Sequence, residues 1–428
     1  MPRHERTTKS FAGALDFVLN GIEPLRSVQV SAVEAIGLVL AKAIRASDDS
    51  PAFRQAAMDG FGIRDEDARN ASAARPVRLK IIDTLGAGQV RSAEIGPGQC
   101  VRIMTGAACP ATVTAVVPWE VVEEDDGAVS LTSPVAAGQN IRGVGEIWQR
   151  GSILLEAGEI VTPAGAGLLA SNGVAAVSVQ PRPQVAIVTI GDELVDPRAA
   201  AGPHAIADSN SILVPELVRA FGGLVCDQRR LPDEPEVVAS ALLEIAATAP
   251  DLIVTVGGAA SSERDVPGRI EHESIDLWPM DVRMRPGRPL IAGRVGQTPV
   301  IGLPGNPGAA FNSAWQFVRP AIRKLSGHAM LTLPEVLAVC PVPLRDEPGR
   351  RTFFRVRLVQ QAGRLVAHPA GTQSPADQVS LAATDGLLVL DEQQPSVAVG
   401  DSVVVQVLNP EAALRALSPG NSTGSAFR

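Results

Sequence analysis

Residues 302–310 read Gly-Leu-Pro-Gly-Asn-Pro-Gly-Ala-Ala. They follow the apolar run Thr298-Pro299-Val300-Ile301 and precede a segment with helical spacing, Pro307 to Leu325. Two glycines and two prolines in the first six positions are more punctuation than an ordinary turn needs. Asn306 can cap the helix and Pro307 suits its first position. Neither residue explains Gly302 and Gly305, which free the backbone. Exposed N–H groups and the helix dipole then make an anion site, so the stretch reads as a strand end that opens onto a ligand. A plain capping loop is the alternative.

Outward from this stretch the pattern repeats. PQVAIVTI (183–190), LVCDQRR (224–230), DLIVTVGG (251–258) and PVIGLPG (299–305) read as strands. NSILVPELVRAFGG (210–223), EPEVVASALLEIAATA (234–249, with Asp233 placed to cap it) and 307–325 read as helices. Strands alternating with helices predict a parallel α/β sheet with helices on both faces. Short β-like runs on either side of this domain, VRLKIIDT, QCVRIM, TAVVPWEVVE and AVSLTS before it and five more beyond Gly327, predict β-rich modules. Residues 10–45 read as helix, short strand (Ser27 to Val30), helix. The expected organisation is an N-terminal mixed domain over 10–182 with a β-rich insertion at about 46–145, an α/β domain over 183–328, a small C-terminal β domain over 333–409 and a disordered tail over 410–428.

Composition narrows the function. A hydrophobic content of 45% over 428 residues supports sizeable cores, and the absence of tyrosine with 3% aromatics makes those cores aliphatic. A net charge of −8 disfavours a nucleic-acid binder that relies on bulk charge. No run of 18 apolar residues occurs, so no membrane span is expected. Four scattered cysteines without a CxxC pair predict reduced thiols and a cytoplasmic protein. The five histidines are dispersed, and neither a Ser/His/Asp set nor a Cys/His metal spacing is evident.

In an open parallel sheet, ligands bind beyond the carboxyl ends of the strands. Three such places arise. At Gly191-Asp192-Glu193-Leu194, adjacent carboxylates could bind Mg²⁺, or they could open a helix. In GGAASSERDV (257–266), Gly257 and Gly258 allow a phosphate to approach, Ser261 and Ser262 can donate hydrogen bonds, and Glu263 and Asp265 add carboxylates; a solvated loop is the alternative. The third is Pro304-Gly305-Asn306. Just upstream, Arg283, Arg285 and Arg288 surround a Pro-Gly turn, and arginine matches phosphate through paired hydrogen bonds. A solvated basic turn is the competing reading. The sum predicts a domain that binds a phosphorylated small molecule with Mg²⁺.

Taken in order, AMDG (57–60), RIMTGA (102–107), GE (145–146), GDEL (191–194), DSN (208–210), GG…D (257–265), RPGRP (285–289) and GLPGNP (302–307) resemble the molybdopterin molybdenumtransferase family, the MoeA and gephyrin E-domain proteins. The resemblance spans about residues 10–408. It implies an enzyme that inserts molybdate into adenylylated molybdopterin and releases AMP, with Mg²⁺ required. It implies a homodimer whose cleft joins the α/β domain of one chain to the β-rich insertion of the other, with a molybdoenzyme or another cofactor-pathway protein as partner. It assigns catalysis to Asp59, Thr105, Glu193 and Asp265, metal binding to Asp192, Glu193 and Asp265, and pterin or anion binding to Gly257, Gly258, Ser261, Ser262, Arg285, Arg288, Pro304, Gly305 and Asn306. Departures cluster in these motifs: arginines stand for the family's usual lysines in KPGKP, Ala260 and Ser262 alter GGVSVGxxD, and Ile147 stands where the family has aspartate. They keep a second reading open, a carrier that holds molybdopterin or finished cofactor without turnover.

Overall fold

The computed structural model describes residues 4–89, 93–198, 204–258, 266, 269–411 and 414. The chain divides into two compact units, one of residues 1–41, 158–162 and 176–428, the other of residues 42–157 and 163–175.

A seven-stranded sheet frames the first unit. Its strands are β1 (Thr7–Lys9), β2 (Gln184–Ile190), β3 (Leu224–Leu231), β4 (Leu252–Val256), β5 (Ile275–Val282), β6 (Pro289–Val295) and β7 (Thr298–Leu303), in the spatial order β1-β5-β6-β7-β4-β2-β3. The pairs β2–β3, β2–β4 and β4–β7 are parallel. β6 is antiparallel to both β7 and β5, so the sheet is mixed, where the sequence pattern predicts a parallel one. β5 escapes a pattern reading because Asp276, Pro279 and Asp281 interrupt its apolar residues.

Alternate residues of β2 feed opposite cores. Val185 and Ile187 pack with α1 (Phe11–Leu19) and α2 (Asn210–Ala220), whereas Ala186, Val188 and Ile190 pack with α3 (Pro235–Ala247) through Val238, Leu242 and Ile245. Each of the buried Val, Leu and Ile side chains among these stabilises the fold by about 1.5–3 kcal/mol. The long C-terminal helix of this layer is α4 (Pro307–Ser313) and α5 (Arg319–Leu325), joined by a π turn over Ala314–Val318. Pro320 supplies no N–H to the ladder, and the Arg319 N–H bonds to the Ala314 carbonyl five residues back. The sequence pattern predicts one regular helix there.

Three further expectations change. Residues 32–45 do not form a second helix. Ser31 and Glu34 exchange capping-box hydrogen bonds, and one turn follows, with the Ala35 N–H on the Ser31 carbonyl. Gly37 then takes φ +83° and gives its N–H to Val161, and the chain continues as two short strands, Val39–Leu40 and Ile44–Arg45. At α3, Glu234 is the cap residue and its side chain makes no cap bond; the Asp233 N–H instead donates to Asp192. Asn306 precedes α4 in the cap position, yet its side chain makes no cap bond either.

Beyond α5, burial pushes the His328 imidazole down from its ordinary 6.5 to about 4, assisted by Arg323 and Arg319. The native state therefore favours neutral His328. The stability this contributes is present above pH 6.5 and is lost as pH falls towards 4. The thermal midpoint of His328→Gln should fall less than that of the wild type between pH 7 and pH 4; equal falls would contradict the assignment.

The C-terminal strands Arg351–Gln361, Arg364–Pro369, Glu335–Val339, Ser402–Val407 and Gly386–Leu390 close into a five-stranded barrel, because the last pairs back onto the first. Met284–Arg285 adds to it in parallel, with Arg285 opposite Thr352. In the second unit, six strands align in the order Glu123–Asp125, Ala128–Leu131, Val77–Leu85, Gln99–Ile103, Gly60–Ile63, Ala115–Pro118. The expected disordered tail falls almost wholly outside the described residues. Among the described residues, no helix is long and apolar enough to cross a membrane.

Candidate functional site

The parallel strands β2, β4 and β7 end level with one another, since Thr189 faces Val256 and Val256 faces Leu303. The chain leaving them is Gly191-Asp192-Glu193, Gly257-Gly258 and Pro304-Gly305-Asn306. β6 runs the opposite way, so the β5–β6 connection, Arg283 to Arg288, rises at the same edge. Topology alone thus gathers four of the sequence-predicted segments. From β6 to β2 is three strand spacings, about 14 Å, a span suited to an extended ligand with more than one anionic group.

Backbone approach explains Gly257. Gly257 has φ +92°, and a Cβ there would lie 2.2 Å from the Ile190 carbonyl oxygen. A Cβ on Gly305 would meet the Cα of Gly257 at 3.4 Å, an ordinary van der Waals contact that sets the two loops side by side without requiring glycine at 305. The loops after β2, β4 and β7 are therefore in backbone contact. Gly302 has a different cause from the one its motif suggests. It lies within β7, where a Cβ would meet Ile291 at 2.8 Å and Thr255 Oγ1 at 2.9 Å. The N-terminus of α4 also departs from expectation: the Gly308 N–H donates to the Pro375 carbonyl at 2.7 Å, so it is not free for an anion.

Asp192 and Glu193 cap no helix; both are exposed in the turn after β2. One oxygen of Asp192 accepts from the Asp233 N–H at 3.0 Å. Ser261, Ser262 and Asp265 lie outside the described residues, as do Ala260 and Glu263.

The arginine turn borders a cleft of about 390 Å³ lined by Arg283, Arg285, Arg288 and Arg350 together with Asp281. Arg288 donates to Asp281 at 2.7 Å, and Arg285 approaches Asp346 at 3.4 Å. The carboxylates are the buried partners: Asp346 is 2% exposed, against 58% for Arg285 and 68% for Arg288. Burial opposes ionisation of Asp346, but hydrogen bonds from Thr352, Arg350 and the Glu347 N–H outweigh it and hold its carboxyl below the usual range. Each guanidinium is therefore tethered by one edge, with its remaining donors directed at solvent and able to grip an oxyanion.

Asp59 and Thr105 belong to the second unit. Gly60 pairs with Ile103 on antiparallel strands, which brings the residue before one strand beside the segment after the other. The Thr105 N–H and hydroxyl both donate to Asp59 Oδ1, at 2.6 and 2.8 Å. These two bonds, the N–H first, hold the Asp59 carboxyl below its usual range, and its second oxygen has no hydrogen-bond partner among the described residues. Ile147, in the same unit, is exposed.

Several groups escape a reading of motifs. Asp208 is buried and accepts from Thr189 Oγ1 (2.7 Å), Arg230 Nε (3.1 Å) and the Ser211 N–H (2.9 Å), which fixes the start of α2 against β2 and β3. Asn210 then reaches the Gly305 carbonyl at 2.7 Å. The Asp-Ser-Asn motif marks both residues without revealing these partners. Asp346 carries no local signal, because its link to Arg285 depends on the barrel.

Family models described as MoeA N-terminal region (domain I and II), probable molybdopterin binding domain and MoeA C-terminal region (domain IV) match residues 9–173, 186–324 and 338–408. The chain is similar to molybdopterin molybdenumtransferase 2 of Mycobacterium tuberculosis, with 34% identity over 386 residues covering 89% of this chain and 95% of that protein. It is 33% identical over 390 residues to molybdopterin molybdenumtransferase of Bacillus subtilis, covering 89% of this chain and 90% of that one. Among solved structures it is similar to the molybdopterin biosynthesis moeA protein of Pyrococcus horikoshii, with TM-score 0.81 and 27% identity over 94% of this chain and 100% of that one.

Proposed function

The chain belongs to the molybdopterin molybdenumtransferase family, and from that membership we propose that it inserts molybdate into adenylylated molybdopterin with release of AMP, an enzymatic step of molybdenum cofactor biosynthesis. The observation that carries the reading is the level sheet edge, where two glycine loops in backbone contact lie beside a turn with two tethered arginines. Both substrates are anions. Backbone loops at Gly257 and Gly305 admit the pterin phosphate closely, while Arg285 and Arg288 hold an oxyanion. Catalysis is then largely placement and charge stabilisation. The curated relatives carry the transferase name, which does not favour a carrier without turnover.

Mg²⁺ fits the donors of the β2 loop. Asp192 keeps one oxygen free and the Glu193 carboxylate has no hydrogen-bond partner among the described residues. Among the described residues no group of three or more His, Cys, Asp or Glu could hold a metal. Mg²⁺ binds through one or two carboxylates plus waters and phosphates, so among Asp192, Glu193 and Asp265 one or two would hold it directly on the substrate's phosphates and the remainder through water. When bound it screens the negative charge of the departing AMP. Ser261 and Ser262 are assigned to the same phosphates. The proposed setting is the cytoplasm, supported by four free thiols, with a molybdoenzyme or another protein of the cofactor pathway receiving the product.

We further propose a homodimer in which Asp59 and Thr105 act on substrate held by a second copy. A 1:1 mixture of Asp59→Asn chains and Glu193→Gln chains, each inactive alone, should then recover about a quarter of wild-type activity through mixed dimers. No recovery would contradict the shared site. The function itself is tested by reconstituting an apo-molybdoenzyme with this protein, molybdate and adenylylated molybdopterin. Reconstitution that depends on the protein supports the reading, and none above the protein-free control at micromolar molybdate removes it.

A further inference from the structure

Two buried asparagines share one chemistry at this edge. Asn210, the first residue of α2, donates Nδ2 to the Gly305 carbonyl at 2.7 Å. Asn312, on α4, donates Nδ2 to the Pro286 carbonyl at 2.8 Å. Asn210 is 7% exposed and Asn312 1%, and in both the amide oxygen is buried without a partner among the described residues. An orphaned buried acceptor destabilises the fold, and an apolar side chain of the same size would avoid it. The cost of the orphaned oxygen is offset where the donor of the same amide has a task.

Peptide planarity indicates the task. In a trans peptide the C=O of one residue and the N–H of the next point in opposite directions. Drawing the Gly305 carbonyl onto Asn210 turns the Asn306 N–H to the far side. Drawing the Pro286 carbonyl onto Asn312 does the same for the Gly287 N–H. Neither N–H has an acceptor among the described residues. Asn306 is exposed, and Gly287 lines the arginine cleft. The turn is also pressed against α4, since a Cβ on Gly287 would lie 2.5 Å from Ser313 Oγ.

We propose that Asn210 and Asn312 are positioning residues that aim the Asn306 and Gly287 peptide N–H groups at a tetrahedral oxyanion between the glycine loop and the arginine turn. The inference rests on the reading of this edge as the anion site. The oxyanion is either free molybdate or the substrate's phosphate, which share this chemistry.

The test uses full-length wild type, Asn210→Leu and Asn312→Leu, with Asn→Ser versions where a leucine variant does not fold. Molybdate alone is titrated by calorimetry, and KM is measured separately for molybdate and for adenylylated molybdopterin. Loss of one donor to an anion should weaken one constant about tenfold, or ~1.4 kcal/mol, with kcat nearly kept. A rise confined to molybdate identifies molybdate as the oxyanion; a rise confined to the pterin substrate identifies its phosphate. Unchanged constants with only a lower thermal midpoint would overturn the proposal, as would a fall in kcat alone. Should the wild type bind molybdate, and the variants bind it more weakly, without any turnover, the inference stands and the proposed reaction fails. Should the wild type bind neither ligand, both fail.

Discussion

Gly257→Ala is expected to abolish turnover and to destabilise the first unit by about 3–5 kcal/mol, at the extreme of single-substitution effects. Two costs combine. The residue has φ +92°, which alanine adopts only with strain, and its Cβ would lie 2.2 Å from the Ile190 carbonyl oxygen. Relief would require separating the ends of β2 and β4, the same movement that opens the proposed phosphate loops. Gly400→Ala supplies the comparison, because Gly400 has φ +90° but nothing within 4 Å of its Cβ. It should cost only about 1–2 kcal/mol and leave turnover intact. Urea midpoints of both variants check this. Equal losses would show that backbone conformation, not the close approach at Ile190, decides the effect.

Asp346→Ala is the second large effect. The carboxylate is almost fully buried and accepts from Thr352 Oγ1 at 2.7 Å, from the Glu347 N–H at 2.7 Å and from Arg350, with Arg285 at 3.4 Å. Its removal leaves Arg350 with Glu347 alone and frees Arg285, with an expected loss of about 2–3 kcal/mol, as for losing charge-assisted hydrogen bonds to a buried carboxylate whose partners are partly exposed. The folded state lowers this carboxyl below its ordinary 3.8. Its ionic contribution is therefore present above pH 3.8 and lost as pH falls through the lower folded value. The stability gap between wild type and variant should be constant from pH 7 to about 5 and narrow in stronger acid. A gap that persists unchanged to pH 2 would assign the effect to packing instead of charge. KM for molybdate or for the pterin substrate, whichever supplies the oxyanion at this turn, should also rise in the variant, since Arg285 loses its tether.

The elements around the candidate site are legible in the sequence where the chemistry is local. Pro307 is readable because a proline acts on its own backbone, and it opens the helix as expected. The strand ends at Ile190, Val256 and Leu303 are readable because both faces of those strands are buried and their apolar runs are continuous. What escapes depends on partners distant in the chain. Gly302 looks like part of a binding loop, and only the neighbouring Ile291 and Thr255 reveal that it is a packing residue. The capping box at Ser31 and Glu34 forms as written, but Val161, more than a hundred residues away, takes the Gly37 N–H and stops the helix. β5 carries two aspartates, and one of them, Asp281, is buried because Arg6 and Arg288 meet it. Asp346 joins the arginine turn only because Met284–Arg285 extends the barrel.

The most direct test of the account is AMP release from adenylylated molybdopterin by the purified protein, with molybdate and Mg²⁺ each supplied or withheld. Rapid release is expected only when both are present, with Glu193→Gln at least a hundredfold slower, about 2.7 kcal/mol. Release that ignores molybdate, or no release beside an active family member under the same conditions, would contradict it.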